Sequence, residues 1–250
     1  MLSLNCGRDQ YGVPVISSTK LEQFAEELIG DYRPELLKSP QPTNIEQLVE
    51  CYLRANLEVR PITMTNAILG VAVFNEGCVP VYDRMKGMLV PLNVPDHTIL
   101  IEEGIYNQRE PGRFNFTLAH EASHLICHDG VSVSNGVQCR QLPEGSIIMC
   151  RPEGERYPRH GQKTPVDWME WQADYFGAAL LMPRNTVQMA IEQILWDAGC
   201  LGGACGMREV NRSPQLFAHV AERLSWLYRV SRTAASIRME NLGDKNPRKA

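Results

Sequence analysis

Within FNFTLAHEASHLICH (residues 114–128), His120, His124 and His128 recur at intervals of four, and Glu121 directly follows the first. Residues four apart lie one turn above each other on a helix, so His120 and His124 can aim two imidazoles at one ion. Glu121 is rotated by about 100° from His120, because a helix turns once in 3.6 residues. It therefore stands beside the pair, where a carboxylate can take a proton from water as a general base. H-E-x-x-H on a helix is a pattern that zinc hydrolases use for this chemistry. His128 is a poor further ligand. The helical rise sets it about 6 Å beyond His124, out of reach of an ion bonded to both earlier nitrogens at about 2.1 Å. Its place in the last turn predicts hydrogen bonding to free carbonyls or an interaction with the helix dipole.

The missing ligand should come from another helix, and Glu170 in WMEWQADYFGAALLMP (168–183) is the best candidate. Asp174 lies four residues on, on the same face. It can accept the free ring N–H of a ligating histidine and fix its tautomer. Two histidines and a glutamate leave one position open, as in catalytic rather than structural zinc sites. H-E-x-x-H also arises by chance, and acidic residues on exposed helices are mostly solvated. Here the motif is embedded among Phe116, Leu118, Ala119, Leu125 and Ile126, which predicts a buried helix whose polar groups need partners or a metal. The expected cofactor is one Zn2+ per chain, with Mn2+ compatible with the same ligands. Spacing does not identify a group to stabilise an oxyanion. His160, Tyr157 and Tyr175 are candidates, each more readily explained as structural.

Short elements must position these residues. A helix is expected from Ser18, with Leu21, Phe24, Ala25 and Leu28 inward and Gly30 as its stop, and another after Thr43-x-x-Glu46 with Ile45, Leu48, Val49 and Tyr52 inward. AILGVAVF (67–74), VPVYD (79–83), MLVPLNV (88–94) and HTILIE (97–102) read as strands of a small, mostly antiparallel sheet. The last is expected at an edge, where it could hold an extended peptide. The histidine helix should begin after Pro111-Gly112 and end at His128-Asp129-Gly130. Residues 129–163 read as a long loop insertion with one strand near Ser146–Cys150, and Thr164-Pro165-Val166-Asp167 as a helix start.

The expected organisation is an irregular N-terminus (1–17), a metal-binding domain (18–205) and a helical C-terminal segment (206–250) packed on it. In that segment Leu216, Val220, Leu224 and Leu227 form one stripe, and Ser231 caps a second helix carrying Ala234, Ala235, Ile237 and Leu242. The rhythm is that of a helix-turn-helix, made locally basic by Arg223, Arg229, Arg232 and Arg238. Direct DNA binding through 213–243 is disfavoured, because the turn lacks glycine and no basic wing follows.

A formal charge of −4 gives no global reason to expect nucleic-acid or membrane partners. No apolar run is long enough to span a bilayer, and the start lacks the pattern of an export signal. The eight cysteines are accordingly read as reduced thiols in a cytoplasmic protein.

RFNFTLAHEASHLICH (113–128) and EWQADYFGAALLMP (170–183) resemble the ImmA/IrrE family of metallopeptidases, with weaker support from ILGVAVF, VYD and VSRTAASIRMENLG (230–243). The resemblance implies that His120, His124 and Glu170 are zinc ligands, that Glu121 is the catalytic base and that Asp174 supports the ligands. It implies a zincin-like α+β fold, with the sheet packed on the H-E-x-x-H helix. It also implies an intracellular endopeptidase cutting a helix-turn-helix repressor of a mobile element or stress regulon. The rival expectation is a non-enzymatic regulator that keeps the zinc fold and binds a repressor or DNA without cleavage. A pure scaffold would have no use for Glu121.

Overall fold

The computed structural model describes residues 2, 4–107, 111–129, 131, 147–149, 164–199 and 207–243. Tyr157, His160 and most of the 129–163 insertion lie outside the described residues. Contacts divide the chain into two compact units: Met1–Ile16 with Ile45–Gly177, and Ser17–Asn44 with Ala178–Ala250.

The first unit begins with order where an irregular end was expected. Strands β1 (Gly7–Arg8) and β2 (Pro14–Val15) pair antiparallel. Asp9 Oδ1 holds their turn, accepting from the backbone N–H groups of Tyr11 and Val13 at 2.9 Å each. Gly12 supplies the left-handed residue, with φ 83°. Beyond these lie β3 (Asn56–Arg60), β4 (Gly70–Val73), β5 (Gly77–Asp83), β6 (Met88–Val94), β7 (Thr98–Glu102) and β8 (Ile147–Met149). The expected strands form, but as two sheets. β5 and β6 make a separate antiparallel hairpin, while the other four are ordered β3-β7-β4-β8. β7 runs parallel to β3 and antiparallel to β4, which pairs antiparallel with β8.

The 97–102 strand is thus interior rather than an edge. All five residues of β7 are buried, which is the signature of a strand covered on both faces. Its second partner, β3, escaped notice because Asn56, Glu58 and Arg60 break up its apolar residues. Alternation along β4 and β7 divides their side chains between two layers. Val71, Val73 and Leu100 pack with Ile62, Val79, Val81 and Val94, the last three from the hairpin. Gly70 turns the other way, towards the long helix that carries the histidines.

The first unit's helices begin with α2 (Ile45–Gln47), which continues as a wider turn to Tyr52, and α3 (Glu103–Asn107); α1 (Ser18–Tyr32) belongs to the second unit. Then comes α4 (Pro111–Cys127), packed against β4 and β7, with every residue from Thr117 to Cys127 buried. α5 (Pro165–Leu181) starts as expected. Thr164 Oγ1 accepts from Asp167 N–H at 3.1 Å, and Asp167 Oδ2 accepts from Thr164 N–H at 2.9 Å, a reciprocal cap.

The second unit holds α1 (Ser18–Tyr32), which runs past Gly30, together with α6 (Arg184–Asp197), α7 (Met207–Arg212), α8 (Pro214–Tyr228) and α9 (Arg232–Gly243). The α8–α9 turn manages without glycine because Arg229 adopts the left-handed conformation, φ 54°. Ser231 Oγ caps α9 by accepting from Ala234 N–H at 3.1 Å. Arg238, read from sequence as a surface cation, is 1% exposed. Its Nη1 and Nη2 donate to the two carboxylate oxygens of Glu22, and its Nε donates to the Met182 carbonyl at 3.0 Å.

Candidate metal centre

Helix α4 carries His120, Glu121 and His124 into the interior of the first unit, and α5 approaches it at the same turn. The approach depends on Gly177. A Cβ there would stand 3.1–3.2 Å from backbone atoms of Ala119 and His120. With the helices this close, Glu170 reaches both histidines, its carboxylate oxygens lying 3.4 Å from His120 Nε2 and 3.6 Å from His124 Nε2. The two Nε2 atoms are 3.0 Å apart. All three side chains are buried, and their ligand atoms lie within 4.8 Å of one another.

This donor set fits a divalent cation. Two donors bonded to a tetrahedral zinc at about 2.1 Å stand about 3.4 Å apart, and the observed separations bracket that value. Burial first, then the cost of placing a proton beside the adjacent His120 and His128 rings, holds His124 well below the ordinary imidazole range, so it offers a lone pair at neutral pH. His120 Nδ1 donates to Asp174 Oδ1 at 2.8 Å. A carboxylate only accepts, so His120 keeps its proton on Nδ1 and turns a bare Nε2 towards Glu170 and His124.

Glu121 is fully buried on the neighbouring face of α4, against the first residue of β4. A Cβ on Gly70 would lie 2.7 Å from Glu121 Cγ and 2.8 Å from its Oε1, so glycine is what lets this carboxylate sit between helix and sheet. Tyr175 is buried with its ring against Trp171, centroids 5.6 Å apart.

The structure brings together His120, His124, Glu170 and Asp174. His128 is not engaged with carbonyls as expected. Its Nδ1 lies 2.9 Å from His124 Nδ1 and its Nε2 lies 3.0 Å from Gln172 Oε1. Burial, opposed by the Gln172 hydrogen bond, pushes it down to about 4. Sequence reasoning missed Gln172, since residues two apart on a helix do not share a face with Glu170 by periodicity. It also missed Gly70 and Gly177, whose only signal was a small residue inside an apolar run.

No curated protein matches the chain. The family model described as the IrrE N-terminal-like domain, Peptidase_M78, matches residues 104–240, a span that contains α4, α5 and every side chain of the cluster, and the chain belongs to that metallopeptidase family.

Proposed function

We propose that the protein is an intracellular zinc endopeptidase that cleaves one regulatory protein, a helix-turn-helix repressor of a mobile element or stress regulon. The observation that carries the reading is the convergence of His120, His124 and Glu170 at one buried point with Glu121 beside them. In this reading His120, His124 and Glu170 would hold the metal, a three-residue donor set of the kind found in catalytic zinc sites. When bound, zinc supplies Lewis acidity, polarising a carbonyl and acidifying water at neutral pH. Glu121 takes the proton from the attacking water at a carboxylate oxygen and passes it to the departing amine. Asp174 keeps His120 in the tautomer that presents Nε2. The choice of a repressor as substrate rests on the family resemblance alone.

The burial of Arg238 leaves the C-terminal helices one cation fewer for phosphate contacts, which favours packing or repressor docking over DNA binding for that segment. The test is to incubate the zinc-loaded protein, and in parallel Glu121→Gln, with the repressor encoded beside its gene. A fragment from the wild type alone is the expected outcome. Equal fragments from both would point to a contaminating protease. No fragment from a protein that still binds zinc would favour a non-cleaving regulator.

A further inference from the structure

Behind His124 a file of hydrogen bonds runs to the backbone of the N-terminal hairpin. His124 Nδ1 meets His128 Nδ1 at 2.9 Å, His128 Nε2 meets Gln172 Oε1 at 3.0 Å, and Gln172 Nε2 donates to the Pro14 carbonyl at 2.7 Å. The three side chains are 0%, 1% and 2% exposed, so water does not substitute for any link.

The direction of the file is set from its far end. A carbonyl oxygen only accepts, so Gln172 must give its NH2 to Pro14 and its Oε1 to His128. His128 then carries its proton on Nε2. In an imidazole one nitrogen donates and the other accepts. His128 Nδ1 is therefore an acceptor, and the donor facing it is His124 Nδ1–H. A neutral His124 is left with a bare Nε2, the atom 3.0 Å from His120 Nε2 and 3.6 Å from Glu170 Oε1.

We infer that His128 and Gln172 are positioning residues that transmit the polarity of the Pro14 carbonyl to His124, locking the tautomer and ring orientation that offer its Nε2 to a metal. The inference rests on the metal-centre reading above. It assigns the N-terminal hairpin a part in the site, because the hairpin supplies the terminal acceptor. Arg8 braces it, donating to the carbonyls of Gly12 at 2.8 Å and Asp129 at 3.1 Å. It also makes the two ligating imidazoles unequal: His120 is backed by a carboxylate, His124 by a neutral chain.

The test uses the full chain with Zn2+ as probe and reads affinity by competition with a chelator. His128→Phe keeps a ring but has no nitrogen, and Gln172→Leu removes both ends of its link. Each is expected to weaken zinc binding about 10- to 100-fold, the usual effect of losing a ligand's supporting hydrogen bond. His128→Gln, which can accept with one atom and donate with the other, should recover most of the loss. In the wild type, 15N spectra should place the His124 proton on Nδ1, with a scalar coupling to His128 Nδ1 across the hydrogen bond. Wild-type affinity in His128→Phe, or a His124 proton on Nε2, overturns the positioning role while leaving the metal centre intact. Equal weakening in His128→Phe and His128→Gln also overturns it, because packing alone would then explain the loss. Failure of the wild type itself to bind zinc overturns the metal-centre reading, and this inference with it.

Discussion

At the scale of single residues, His124 and His128 are imidazoles kept neutral by burial, and that has a consequence for stability. His128 is held down to about 4 in the folded chain, against the ordinary 6.5 of an exposed imidazole. Between those two values the unfolded chain takes up a proton that the folded chain refuses. Stability of the metal-free protein is therefore full above the upper value, falls as pH drops through the window, and levels off below the lower one. For His128 alone the displacement is worth about 3 kcal/mol, and His124 adds to it in the same direction. Urea unfolding midpoints between pH 4 and 7 should show the decline, and His128→Gln should make it shallower; a flat profile would contradict the assignment. The principal side chains here were legible from the chain itself. Helical spacing alone pairs His120 with His124 and Glu170 with Asp174, and a buried metal set is the economical use of all four. The His128–Gln172 link was not legible, because it depends on side-chain rotamers and on the separation of two helices, neither of which is encoded in spacing.

At the scale of elements, two glycines set the distances. Gly177 lets α5 lie against the backbone of α4, and Gly70 lets Glu121 lie against β4. Gly177→Ala should force the helices apart by a few tenths of an ångström and destabilise the protein by about 1–3 kcal/mol, a typical cost of overpacking. Because α5 carries Glu170, zinc affinity should fall with it. Gly70→Ala meets the Glu121 and Thr117 side chains instead. It should depress cleavage at least tenfold while leaving zinc affinity close to wild type, a split that chelator competition and a cleavage assay can resolve. Strand identity in this region was readable from β-branched runs bounded by turns. Sheet order was not. The parallel partner β3 is amphipathic and short, and nothing local in HTILIE, which carries Thr98 and Glu102 on one face, says which strands flank it.

At the scale of the whole molecule, contacts group residues from both ends of the sequence: Ser17–Asn44 joins Ala178–Ala250 in the second unit. The Glu22–Arg238 pair is the polar centre of that unit, with both side chains almost fully buried. Taking Glu22 away removes the carboxylate that accepts from Nη1 and Nη2 of a buried guanidinium, and with it the oxygen 3.9 Å from Arg184 Nη2. Glu22→Ala should cost about 3–5 kcal/mol and lower the thermal midpoint accordingly, with Glu22→Gln milder because it keeps an acceptor. Zinc stoichiometry below the transition should stay that of wild type, since the ligands belong to the other unit. Among the described residues no helix is long and apolar enough to cross a membrane. The sequence placed Arg238 on a basic surface because charge periodicity cannot register a partner 216 residues away.

The unequal backing of the two imidazoles gives the centre a front and a back. Asp174, behind His120, is 42% exposed, whereas His128 and Gln172, behind His124, are sealed from solvent. Bulk water therefore meets the hydrogen bond that backs one ligand and is kept from the file that backs the other, so a change of solvent bears on the support of His120 before that of His124.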